Sequence, residues 1–132
     1  MKNLIKSTTL VLAAVLMIST SIFANGAKEK AVEKATETVQ SAAPDDWKTL
    51  AVQADYLIRK NAGLSSAKQW LDKSLNIKED SYNLEIMGDY YVKCNLPKEA
   101  VVYYIKSMEA LKANDASVDT SHIQDKIVLA MN

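Results

Sequence analysis

Between Ser81 and Lys112 the apolar and small residues fall into two helical stripes divided by a proline, and this leaves the chain few ways to fold. Leu84, Met87, Gly88 and Tyr91 recur at the spacing that lines one side of a helix. After Cys94 and Asn95, Leu96-Pro97-Lys98-Glu99 reads as a second helix start: proline is tolerated at the first helical position, and an acidic residue in the first turn suits the helix dipole. The inward positions of that helix are Ala100, Val101, Tyr104, Ser107, Met108 and Leu111. Helices this close in sequence fold back as an antiparallel hairpin. Gly88 and Ala100 then let the backbones approach, with Tyr91 and Tyr104 filling the space beside them.

The preceding segment repeats the pattern. Pro44-Asp45-Asp46 supplies an aspartate suited to cap a helix, and Trp47, Leu50, Ala51, Ala54, Leu57 and Ile58 form its apolar stripe. The helix is expected to stop near Asn61-Ala62-Gly63, where glycine can turn left-handed. Ser66 and Gln69 predict a capping box for the next helix, whose inward residues are Ala67, Trp70, Leu71 and Ser74 with Leu75 beside them. Asp55-Tyr56-Leu57-Ile58-Arg59 falls on Asp89-Tyr90-Tyr91-Val92-Lys93 at an offset of 34, and Ala67, Leu71 and Ser74 fall on Ala100, Tyr104 and Ser107 at an offset of 33. Ala54 thereby takes the place of Gly88, and Leu50 that of Leu84.

A duplicated helical pair of this length resembles the tetratricopeptide repeat, whose signature is W-x2-L-G-x2-Y…A-x3-F…P. Leu84 stands at the Trp position, Met87-Gly88 at Leu-Gly, Tyr91 at Tyr, Ala100 at Ala and Tyr104 at Phe. Departures are Lys112 and Glu79 where the family has proline, and Gln53 where it has leucine. The resemblance covers about residues 46–114. It implies an all-α fold, a short right-handed α-solenoid of two hairpins, about 46–79 and 80–114. A last helix at about 117–131, with Ser121 and Gln124 as a capping box and Ile123, Ile127, Val128 and Met131 as its stripe, is expected to cover the exposed end.

Ahead of this domain the chain changes character twice. Lys2 and Lys6, the apolar run Leu10 to Ile18 and the small residues ending at Ala24 have the layout of a secretory signal, residues 1–24. The run is shorter than a membrane span needs, and no cysteine follows it to take a lipid. Cleavage after Ala24 is expected to leave an exported, periplasmic or secreted protein without stable membrane insertion. Residues 25–45, rich in Ala, Glu and Lys, have helix propensity but only the thin stripe Ala31, Val32, Ala35 and Val39 to bury, and read as a flexible or partly helical, solvated tether.

Composition narrows the function. The chain after residue 24 carries 14 basic and 16 acidic side chains, a net charge of −2, which gives no basic footprint for nucleic acid. Cys94 is the only cysteine and cannot cross-link its own chain; it reads as a small apolar side chain of a packed helix, with an intermolecular disulfide as the alternative. His122 is the only histidine, so no His/Cys metal set exists, and it reads as an exposed helix-terminal residue. No catalytic residue, metal or cofactor is expected.

The resemblance implies that a protein or peptide partner binds the concave face made by the first helix of each pair. Carried over position by position, that face holds Lys48, Asp55 and Arg59 from the first repeat and Tyr82, Glu85, Asp89, Val92 and Lys93 from the second. Aspartates at both equivalent positions, Asp55 and Asp89, favour a ligand with positive charge or hydrogen-bond donors, and charge reversal of Asp89 is expected to weaken binding without unfolding. The alternative is a structural homo-oligomer joined through the repeat ends, since two repeats are fewer than an array usually needs.

Overall fold

The computed structural model describes residues 24–132, and among them the chain forms six helices and no strand. Helix α1 covers 24–41, α2 Trp47–Lys60, α3 Leu64–Ile77, α4 Ser81–Lys93, α5 Pro97–Asn114 and α6 Ser121–Met131. The expected leader, residues 1–23 up to its last alanine, lies outside the described residues.

Two hairpins, α2 with α3 and α4 with α5, carry the fold, and α4 also packs against both α2 and α3. They share one set of stabilising bonds. Ser74 Oγ donates to the Trp47 carbonyl at 2.7 Å, and Ser107 Oγ donates to the Ser81 carbonyl at 2.7 Å. Each bond ties the second half of a second helix to the start of a first, which makes both pairs antiparallel. Asp46 and Asp80 cap α2 and α4 through their carboxylates. Both first helices end in one motif: Asn61 N donates to Ile58 O and Ala62 N to Leu57 O, matched by Asn95 N to Val92 O and Leu96 N to Tyr91 O. Among the described residues Asn61 and Asn95 are the two non-glycine residues with positive φ, 51° and 59°. Asparagine tolerates that left-handed turn better than other side chains.

Inside the hairpins the expected small and apolar positions are buried. Ala54, Leu57, Ala67, Leu71, Met87 and Ala100 have no exposed surface. Gly88 lies under Tyr104; a β-carbon built there would stand 2.5 Å from its Cδ1. Tyr91 packs against the cluster of Ala100 and Tyr104 as expected, and also stacks on Tyr103 with ring centres 5.4 Å apart.

Four expectations need correction. Residues 25–45 are not a solvated tether: α1 is continuous, Ala31 and Ala35 are buried in the core of α2 and α3, and Val32 abuts Gly63. A stripe of alanines buries little area, but it lets the helix approach closely enough to pack. Helix α3 begins at Leu64 rather than after Ser66; Gly63, with φ 53°, is its N-cap instead of closing α2. Thr120, not Ser121, precedes α6, and Gln124 Nε2 bonds Thr120 Oγ1 at 3.2 Å. Helix α6 covers α5 through Ile123 and Ile127, yet Val128 and Met131 of the expected stripe are exposed.

Candidate functional site

The parallel course of α2 and α4 leaves a groove between them, closed along one side by α6. Its walls are Asp55 and Arg59 from α2, Tyr82, Glu85, Ile86 and Asp89 from α4, and Lys126 from α6, around a hollow of about 300 Å³. Five of the eight positions named from sequence therefore meet: Asp55, Arg59, Tyr82, Glu85 and Asp89. Lys48 and Lys93, at the far ends of α2 and α4, are exposed and do not line it. Val92 is likewise outside the groove and exposed.

Lys126 is the residue that the repeat register does not provide. Its ammonium group donates to both carboxylate oxygens of Asp89 at 2.8 Å and pairs with Glu85 Oε1 at 2.7 Å. It also stands 5.8 Å from the centre of the Tyr104 ring. Tyr104 Oη donates to Asp89 Oδ1 at 2.7 Å, so Asp89 is held from two sides. Burial opposes charge on Lys126, but its bonds to Asp89 and Glu85 outweigh this and hold its pKa above the ordinary lysine value. Burial, with Asp89 adding to it, pushes the Tyr104 hydroxyl well above the ordinary tyrosine range. His122, one turn before Lys126, reaches Glu85 Oε2 at 3.5 Å while staying mostly exposed. A trace of this arrangement exists in the sequence: His122 and Lys126 lie four apart, flanking Ile123 and Ile127 on one face of α6.

Asp55 is placed differently. Its one ion pair is Arg59 at 2.8 Å, and the Arg59 side chain is 69% exposed. Burial raises the Asp55 pKa, and the negative charges of Asp89 and Glu85 add to the rise against Arg59 and Lys126. Burial and the nearby Asp55 carboxylate likewise raise Tyr82. One half of the groove is thus internally neutralised by α6, and the other keeps Asp55, Arg59 and Tyr82 within reach of solvent. This corrects the expectation for Asp89: a residue that anchors α6 and receives the Tyr104 hydroxyl cannot be reversed in charge without loosening the fold.

Comparison of the chain with protein-family models, curated proteins and solved structures finds no match.

No group of three or more His, Cys, Asp or Glu side chains among the described residues is arranged to hold a metal ion. Cys94, at the end of α4, is free and half-buried. It accompanies Tyr90, whose hydroxyl is pushed up to about 12, first by its hydrogen bond with Cys94 and then by burial.

Proposed function

We propose that this protein is an exported, non-catalytic interaction module of tetratricopeptide-like build, a short right-handed array of two hairpins with α6 as its cap. It binds a protein or peptide partner in the groove between α2 and α4. The duplicated bonds Ser74 to Trp47 and Ser107 to Ser81 support the array, because they repeat at the offsets of the sequence duplication. The observation that carries the binding reading is the open half of the groove, where Asp55 and Arg59 face Tyr82 without a roof.

A partner meeting these side chains offers a donor or cation to Asp55 and an acceptor to Arg59, with an apolar or aromatic surface against Tyr82. Glu85 and Asp89 serve that surface indirectly, by holding α6 in place. A photo-activated cross-linking side chain at Tyr82, introduced in the native cell, tests the assignment. Adducts are expected from that position, lost on Arg59→Glu, and absent when the same group replaces Lys48. Equal capture from both positions would refute the groove as the docking site.

A further inference from the structure

Asp55 and Asp89 occupy the same position in the two repeats, and their side chains are withdrawn from water to a similar degree, 21% and 28% exposed. Their partners differ. Asp89 is held by the Tyr104 hydroxyl at Oδ1 and by the Lys126 ammonium at both oxygens. That ammonium also reaches Glu85, and the Tyr104 ring lies 5.8 Å from it. The one ion pair of Asp55 among the described residues is a single contact from its Oδ2 to Arg59, whose side chain is mostly in solvent. Burial, joined by the charges of Asp89 and Glu85, raises the Asp55 pKa, as expected of a carboxylate short of donors. Yet the surroundings are of the same kind: a second carboxylate, Glu85, and an aromatic ring, Tyr82, line one hollow with Asp55 and the buried Ile86. The charged groups lining that hollow are the carboxylates of Asp55, Glu85 and Asp89 against the cations Arg59 and Lys126, with His122 beside Glu85. The carboxylates are in excess.

We propose that the hollow takes a lysine side chain of the partner, its ammonium between Asp55 and Glu85 and its methylene stem along Tyr82 and Ile86. This rests on the groove being the docking site and adds which group the partner presents there. Lys126 is the precedent within the fold, one ammonium joining two carboxylates beside a tyrosine ring. A lysine stem is apolar and slender, and its charge is a point that needs one oxygen from each carboxylate. A guanidinium instead asks for both oxygens of one carboxylate, and Arg59 already holds one of those on Asp55.

The probes are alanine-based peptides, acetylated and amidated at their ends, with lysine, acetyl-lysine, norleucine or arginine at one central position. Each is titrated into the full chain and followed by amide chemical shifts. The lysine peptide is expected to shift residues 55–59 and 82–86 and to leave those of α6 in place. Its affinity should fall about tenfold or more in Asp55→Asn, the loss of a charge-assisted bond. It should rise in Arg59→Gln, which removes a competing cation. Both substitutions are at partly or well exposed side chains, and circular dichroism checks that the fold persists. Equal binding of the acetyl-lysine or norleucine peptide would overturn the proposal, as would a lysine response that survives Asp55→Asn or is centred on residues 122–126. An arginine peptide that binds as tightly would overturn the choice of an ammonium. If no peptide binds while the cross-link from Tyr82 persists, the lysine assignment fails and the docking groove stands; if the cross-link is also absent, both fall.

Discussion

Gly88 and Tyr104 are fitted to each other so closely that the glycine hydrogen occupies the only space beneath the ring. The ring cannot move aside, because Tyr104 is almost fully buried and its hydroxyl is bound to Asp89. Gly88→Ala is therefore expected to destabilise the protein, the overpacking cost of about 1–3 kcal/mol exceeding the gain in helix propensity of about 1 kcal/mol. Urea unfolding measures the loss. In a double variant with Tyr104→Leu, which vacates the space, the combined loss should be smaller than the sum of the single ones.

Lys126→Met removes the cation that joins α6 to α4. Glu85 and Asp89 would remain close together, half-buried and without their shared partner. A loss of about 1–2 kcal/mol is expected, more than for an exposed pair because one ammonium group serves two carboxylates. Amide exchange in α6 should rise before exchange in α4 and α5 does.

Alkaline conditions should act on the same cluster. Lys126 has a raised pKa in the folded state, so its contribution is fully present below the unfolded lysine value and is lost as pH climbs through the folded one. Tyr104, also raised, resists ionisation when folded, and unfolding releases its proton, so stability falls once pH passes the ordinary tyrosine value. Stability should decline from about pH 10 upward. Tyr104→Phe is expected to be about 1 kcal/mol less stable at neutral pH, from the lost hydrogen bond, yet to show a shallower decline. Thermal melts across the alkaline range test both parts.

Asp55 responds to acid in the opposite sense from a well-paired carboxylate. Because its folded pKa is raised, the folded state holds a proton longer than the unfolded chain, and stability falls as pH rises from the ordinary aspartate value through the folded one. Asp55→Asn should therefore match the parent protein at low pH and exceed its stability at pH 7. The lost pair with the exposed Arg59 offsets little of this. A variant that is less stable at both pH values would show that the Arg59 pair dominates.

Ser74 of α3 and Ser107 of α5 permit a graded comparison. Ser107→Ala removes one bond to the Ser81 carbonyl, whereas Ser74→Ala removes the bond to Trp47 and also the acceptor that takes Asn83 Nδ2 at 2.9 Å. Asn83 is fully buried. Ser107→Ala is expected to cost about 1 kcal/mol and Ser74→Ala roughly twice that, read from chemical denaturation midpoints.

Legibility from sequence followed the range of the interactions. Helix content, the duplicated register and the buried faces of α2 to α5 are local patterns, and Ala54, Ala67, Gly88 and Ala100 lie where periodicity puts them. The left-handed Asn61 was masked by Gly63 two residues on, the more familiar signal for such a turn. The spacing of His122 and Lys126 puts them on one face of α6, but that this face meets Glu85 and Asp89 depends on how the 115–120 loop returns α6 against α4. Helix α1 was hidden for a different reason: alanine contributes little to an apolar stripe, though a face of alanines can pack as tightly as a face of leucines. The groove could therefore be named on its α2 and α4 walls while its third wall stayed out of view.

The burial of Ala31 and Ala35 also bears on how the protein is held. A slack leash would let the body tumble about its point of attachment and lose all memory of direction within a few residues. Here the rod leading from residue 24 is wedged into the core beside Leu57 and Leu71, so whatever grips the amino end also sets the bearing of the groove.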